Sequence, residues 1–214
     1  MDRKLQITGK GNLAISPDLI IIAFEVKAHE WEYEKSISRL NDKVEQLRQI
    51  LEKEKVDRKQ LKTKDFRVNR DTSWNKKTEK HEFNGFQASH SLEIELPLEQ
   101  NLINSLLGKI AANLEDLEFR INFGVKDPES YHRKLLKNAI QKAKESAALI
   151  AEASGVQLRE IIDIDCTIRE IQIRSRSYDY RVYETENMYE AATPDFEPDD
   201  IDVSESVTIT WRIE

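Results

Sequence analysis

The sequence predicts an α+β fold, a mixed and mainly antiparallel sheet with helices packed on one face. Three observations point there. Segments of strict apolar–polar alternation mark half-buried strands, as at Phe86, Ala88, His90, Leu92, Ile94 and Leu96. Longer stretches carry apolar residues three and four apart, the stripe of an amphipathic helix. The order strand–helix–strand–strand then occurs twice, about 100 residues apart, with a linking helix between the copies.

The first strand is read at Ile20, Ile22, Phe24 and Val26; Leu19, Ile21 and Ala23 make its other face apolar as well, as for a strand covered on both sides. From Glu34 to Glu54, Ile37, Leu40, Val44, Leu47 and Leu51 form one helical stripe. Leu61 to Asn69 is a weaker strand with Phe66 and Val68 on one side. A polar loop follows, and the strand from Phe86 to Leu96 hairpins back, closing a first repeat of about residues 15–96. Pro97 opens the linking helix, about 97–113, with Leu98, Leu102, Leu106 and Ile110 one turn apart.

The second repeat, about 116–214, starts at Leu117, Phe119, Ile121, Phe123 and Val125, which alternate with polar residues. Asp127, Pro128 and Glu129 supply an N-cap, an N1 proline and a first-turn acid for a long helix. Its Ala139, Ala143, Ala147 and Ala151 form a small-residue stripe that lets it lie close on a sheet, and Gly155 is the expected stop. Ile162, Ile164, Cys166 and Ile168 share a face, but Ile171 and Ile173 have the opposite parity, so a bulge is expected near Arg169 or Glu170. Val203, Val207, Ile209, Trp211 and Ile213 form the last strand. Each strand–helix–strand step is expected to make parallel strands through a right-handed crossover, and each hairpin to add an antiparallel one, within a single domain spanning 1–214.

Composition bounds the function. Hydrophobic residues are 39% and charged residues 34%, enough for a core under a heavily charged exterior, which excludes a disordered chain. The longest apolar run, Leu19 to Phe24, is six residues, whereas a spanning helix needs about 20, so no transmembrane segment is expected. Met1-Asp2-Arg3-Lys4 leads into a strand pattern with no apolar signal region, so the expected compartment is cytoplasmic, or exported and envelope-associated if a native signal peptide precedes this sequence. A net charge of −7 argues against binding a phosphate backbone, and no nucleic-acid partner is expected.

Chemistry is hard to find. His29, His81, His90 and His132 are scattered without ligand spacing, and the single cysteine, Cys166, sits among isoleucines as a small core residue. His90 lies on the apolar face of its strand and reads as a hydrogen-bonded core histidine rather than a general base. Gly9-Lys10-Gly11 lacks the remaining spacing of a phosphate loop, so its glycines are assigned to a turn or bulge. Asp163 and Asp165 share one strand face and read as its solvated side. No catalytic residue, cofactor or metal ligand is assigned.

Two long connections stand out instead. Arg58 to Lys80 has nine Lys or Arg against three acids, whereas Glu184 to Glu205 has nine acids and no base. The acidic stretch lies in a connection of about 25 residues, far longer than a usual hairpin loop. Trp74, Lys76 and Lys77 on the basic arm, with Tyr178, Tyr180, Tyr183, Met188, Tyr189 and Phe196 on the acidic one, are the residue types of interfaces. The expected contact joins the acidic arm of one copy to the basic arm of another, giving a homo-oligomer.

Three stretches resemble the SIMPL-domain family. They are Ile7-Thr8-Gly9-Lys10-Gly11 with Ser16-Pro17-Asp18, the helix Ala139-Ile140-Gln141-Lys142-Ala143-Lys144 running on to Ile150-Ala151 and Gly155, and Glu197-Pro198-Asp199-Asp200-Ile201 with Val203-Ser204. Leu61-Lys62-Thr63 and Gly85-Phe86-Gln87-Ala88 are similar to it as well. The resemblance implies a duplicated α/β fold, oligomerisation, stress-defence associations in bacteria, adaptor roles in animals and no established enzymatic activity. The function expected is therefore a non-enzymatic, self-assembling interaction protein, with a protein partner as a further expectation. The alternative is a small-molecule or peptide binder using a cavity between repeats or within an oligomer.

Overall fold

The computed structural model describes residues 3–76, 79–114, 117–166, 173–175, 178–181 and 196–214. The chain divides into two compact units: Asp18–Phe123 with Arg176–Glu197, the larger, and Met1–Pro17, Gly124–Ser175 and Pro198–Glu214, the smaller. The secondary structure is α+β as expected, but it forms two antiparallel sheets, not one mixed sheet.

The larger unit holds β2 (Leu19–Glu30), α1 (Tyr33–Lys53), β3 (Lys62–Asn75), β4 (Lys80–Pro97), α2 (Gln100–Asn113), β5 (Glu118–Gly124, its last residue outside) and β7 (Tyr178–Arg181). Its sheet order is β3-β4-β2-β5-β7. Both β2 and β3 run antiparallel to β4, with Ile22 opposite Ile94 and Val68 opposite Ala88. The strands joined through α1 thus run in the same direction, as a crossover requires, but β4 lies between them. Ile20, Ile22, Phe24 and Val26 of β2, with Leu92, Ile94 and Leu96 of β4, pack in one cluster with Leu40, Val44, Leu47 and Leu51 of α1. Ile103, Leu106 and Ile110 of α2 join the same cluster. The proposed start of α2 at Pro97 is corrected: that proline ends β4, where its missing N–H costs no ladder bond at a strand terminus, and Glu99 stands at the N-cap.

The basic connection is likewise not a loop. β3 and β4 stay paired as far as Asn75 and Lys80, with shifts of register at Thr63/Asp65 and Asp71/Thr72. Gly85 sits at the second shift with φ of +107°, and a Cβ there would approach the Glu30 carbonyl oxygen to 2.6 Å, so only glycine suits that position.

The smaller unit contains β1 (Lys4–Ile15), α3 (Pro128–Ser154), β6 (Leu158–Asp165) and β8 (Ile201–Ile213), in the sheet order β1-β8-β6. Here the expected crossover between the strands flanking the helix is corrected. Its first strand, β5, pairs in the other sheet, and the strand lying under α3 comes from the N-terminus instead. β1 matches β8 residue for residue from Lys4 opposite Arg212 to Ile15 opposite Ile201. Gly9 and Gly11 are not at a turn: they lie in β1, where α3 presses on the strand. A Cβ on Gly9 would stand 2.0 Å from the Ala139 carbonyl oxygen, and one on Gly11 2.3 Å from that of Leu135. Ala139, Ala143 and Ala147 meet Val207, Ile209 and Trp211 in the core beneath.

The ends of α3 follow the sequence. The Asp127 carboxylate accepts the Ser130 N–H at 3.0 Å, and Gly155 adopts the left-handed conformation at φ of 66° while the Val156 N–H reaches the Ala151 carbonyl. In β6 the register shifts between Ile161 and Asp163, which leaves Ile164 on the face of Ile161. Ile168, Arg169, Glu170 and Ile171, with the bulge expected among them, lie outside the described residues. Ile173 is buried with Ile15, Val125 and Ile201. No helix among the described residues is long and apolar enough to cross a membrane.

Candidate interaction surface

Alternation along a strand puts residues two apart on one face. The register of β3 against β4 therefore places Phe66, Arg70, Thr72 and Trp74 on the face that carries His90, Phe86, Phe83 and His81. Farther down β4 this is the face that α1 covers, but α1 begins only at Tyr33, and the ribbon runs on past it. The aromatic side chains there pack on one another. Trp31 meets Phe83 edge-on at 6.1 Å, Phe83 meets Phe86 at 5.3 Å, and Tyr33 meets Phe86 at 5.7 Å. The Arg70 guanidinium lies 5.0 Å over the Phe83 ring, and Trp74 contacts His81 at 5.1 Å. Despite these contacts Trp31 is 63% exposed and Trp74 54%. The rings thus form one contiguous aromatic surface that stays largely open to solvent.

Of the residues expected at an interface, Trp74 belongs to this surface and Lys76 is exposed in the turn beyond it. Lys77, Tyr183, Met188 and Tyr189 lie outside the described residues. Tyr178 and Tyr180 stand in β7, opposite Ile121 and Phe119 of β5. Phe196 packs inward instead: its ring is 6.0 Å from Phe123, and its N–H donates to the Gln100 side-chain oxygen at 3.2 Å. Beyond it, Ile201 begins β8. The acidic connection is thus held to its own chain at β7 and again at Phe196, and residues 182–195 lie outside the described residues. Trp31, Tyr33, Phe83 and Arg70 escape a reading of the sequence, because nothing in their local spacing shows that a hairpin brings them together.

The opposite face of the larger sheet is charged. A hollow of about 280 Å³ surrounds Ala23, walled by Glu25, Lys64, Glu93, Glu118 and Arg120. Lys64 pairs with Glu93 at 2.9 Å, and Lys27 reaches Glu118 at 3.1 Å.

The remaining candidates are dispersed. His29 lies 3.3 Å from Asp71, and His132 3.8 Å from Glu205. Burial, then Glu205 and Asp165, push the Cys166 thiol above its usual range, the reverse of what a nucleophile needs. Among the described residues no three His, Cys, Asp or Glu side chains converge as a metal site would require. His90 shares a hydrogen bond between its Nε2 and the Thr63 hydroxyl at 2.9 Å, and its ring meets Phe66. Burial, then the charge of Arg48 on α1, hold its pKa below the usual imidazole value. The unfolded chain therefore takes up this proton first as pH falls below about 6.5, and stability declines from there towards the lowered folded value. His90→Gln is expected to flatten that part of the curve of urea midpoint against pH; an unchanged slope between pH 7 and 5 would show that His90 does not set it.

No curated protein matches the chain. The family model named SIMPL, described as a protein of unknown function (DUF541), matches residues 5–211 and so takes in both units. With the glycine-bearing first strand, the alanine-striped helix and the closing strand all within that match, the chain belongs to the SIMPL family.

Proposed function

We propose that this protein works by contact rather than by catalysis, as a self-assembling interaction protein. The observation that carries the reading is the exposed aromatic ribbon of β3 and β4, with Trp31 and Tyr33 beside it. Monomeric proteins rarely leave so many large rings in water without a use for them. The acidic residues Glu184, Glu186, Glu190 and Asp195, accompanied by no base between 182 and 195, would complement the basic stretch from Arg58 to Lys80 that contains β3. Stress defence, suggested by the family resemblance, is the proposed setting.

The contact should weaken with salt, since exposed charges are screened within about 8 Å at physiological ionic strength. Converting Glu184, Glu186 and Glu190 together to glutamine should lower the sedimenting mass at low salt and reduce its salt dependence. An identical mass for both proteins at every salt concentration would rule the acidic segment out of the contact.

A second reading, a small-molecule binder, is supported by the hollow around Ala23, whose wall offers both carboxylates and cations. One compound class that raises Tm, with the effect lost in Glu93→Gln, would favour it.

A further inference from the structure

The two most exposed strands described are both sheet edges. Among the described residues β3 pairs only with β4, and β6 only with β8. A bare edge presents a row of unpaired N–H and C=O groups, which proteins ordinarily shorten, bend or cover. β3 runs for 14 residues, and between its two register shifts Asp65 to Asp71 is regular strand. β6 is the more unusual. After Leu158 every residue of it is exposed, and three of those are isoleucines, with Ile164 54% exposed.

We infer that the edge strand β6 of one copy docks against the edge strand β3 of a second copy. This rests on the self-assembly proposed above and adds the surfaces that meet. Charge selects the pairing. β3 carries Lys62, Lys64, Arg67 and Arg70 against Asp65 and Asp71, whereas β6 carries Glu160, Asp163 and Asp165 against Arg159. Joining β3 to β3 sets cation against cation, and joining β6 to β6 sets carboxylate against carboxylate, both unfavourable across strands. Only the unlike pair is complementary. Its apolar content agrees: Ile161 and Ile164 on β6 would meet Phe66, which is 45% exposed on β3. A contact between two different surfaces propagates from copy to copy, closing as a ring or running on as a filament.

The test uses the full chain with p-benzoylphenylalanine introduced at Phe66, mixed with isotopically heavy chains and irradiated. The expected product joins position 66 of one copy to the peptide containing Leu158–Asp165 of another. Attachment to β3 of the second copy, or to any other segment, in a protein that still sediments as an assembly would overturn this inference and leave self-assembly standing. A species that stays monomeric at every concentration would overturn both. A second arm reverses charge at exposed positions. Arg67→Glu with Arg70→Glu, and separately Asp163→Arg with Asp165→Arg, should each weaken assembly about ten-fold or more. The chain carrying all four changes should recover it; failure of that recovery, with each pair folded, also overturns the pairing.

Discussion

Replacing Gly9 by valine is expected to unfold the smaller unit. The strand β1 and the helix α3 touch there through their backbones, and the first carbon of any side chain would fall 2.0 Å from the Ala139 carbonyl oxygen and 2.5 Å from the Ala143 nitrogen. Neither atom is at the end of a flexible side chain, so relief requires the helix to lift from the sheet. Lifting it would break the seal over Val207, Ile209 and Trp211. Overpacking in a well-filled core costs about 1–3 kcal/mol even when side chains can adjust, and here none can, so about 4 kcal/mol or more is expected. Gly108→Ala is the contrast: a Cβ there meets nothing within 4 Å, and within α2 the change should stabilise by up to about 1 kcal/mol. Urea midpoints of the two variants measure both. A Gly9→Val protein as stable as the wild type would mean that α3 does not rest on β1.

The second large effect is expected at the aromatic ribbon. Trp31→Ser, Trp74→Ser and Phe83→Ser in one chain should strongly weaken assembly while leaving the urea midpoint close to that of the wild type. The rings are substantially exposed and make their contacts with one another on the ribbon. The main core, Ile20, Ile22 and Phe24 with Leu40, Leu47 and Leu92, does not include them. Interfaces draw most of their energy from a few large aromatic and arginine side chains, so removing three of them should raise the dissociation constant by about a hundred-fold or more. Size-exclusion chromatography with light scattering reads the result. Unchanged assembly would move the contact elsewhere, and loss of folding would assign the ribbon to stability.

Much of the fold was legible because it rests on local rules. The capping of α3 by Asp127 and its stop at Gly155 depend on a few adjacent residues, and the stripe of α1 on a single period. The alanines of α3 announced a close approach to a sheet, and that approach is present. What they could not announce was which strand lies beneath. β5 precedes α3 in the chain, but β1 carries the glycines that admit the helix, and that match is made across more than 100 residues of sequence. A glycine that permits a turn looks the same in sequence as one that permits contact, hence the misplacing of Gly9 and Gly11.

The ribbon was missed for a related reason. Strand alternation is visible only where one face is buried, and among the described residues from Asn69 to Phe83 neither face is. Its polar residues read as a loop, although their partners across the hairpin keep them extended. Trp74 could be picked out as an isolated aromatic; its neighbours could not. Phe196 shows the converse: an aromatic in an acidic run looks exposed, yet its ring lies against Phe123.

Sedimentation equilibrium of the wild-type chain over a wide range of concentration tests the central claim most directly. Self-assembly through the ribbon predicts a mass that is a discrete multiple of 25.0 kDa and shifts downwards as salt is added. A single 25.0 kDa species up to the highest concentration reached would contradict it.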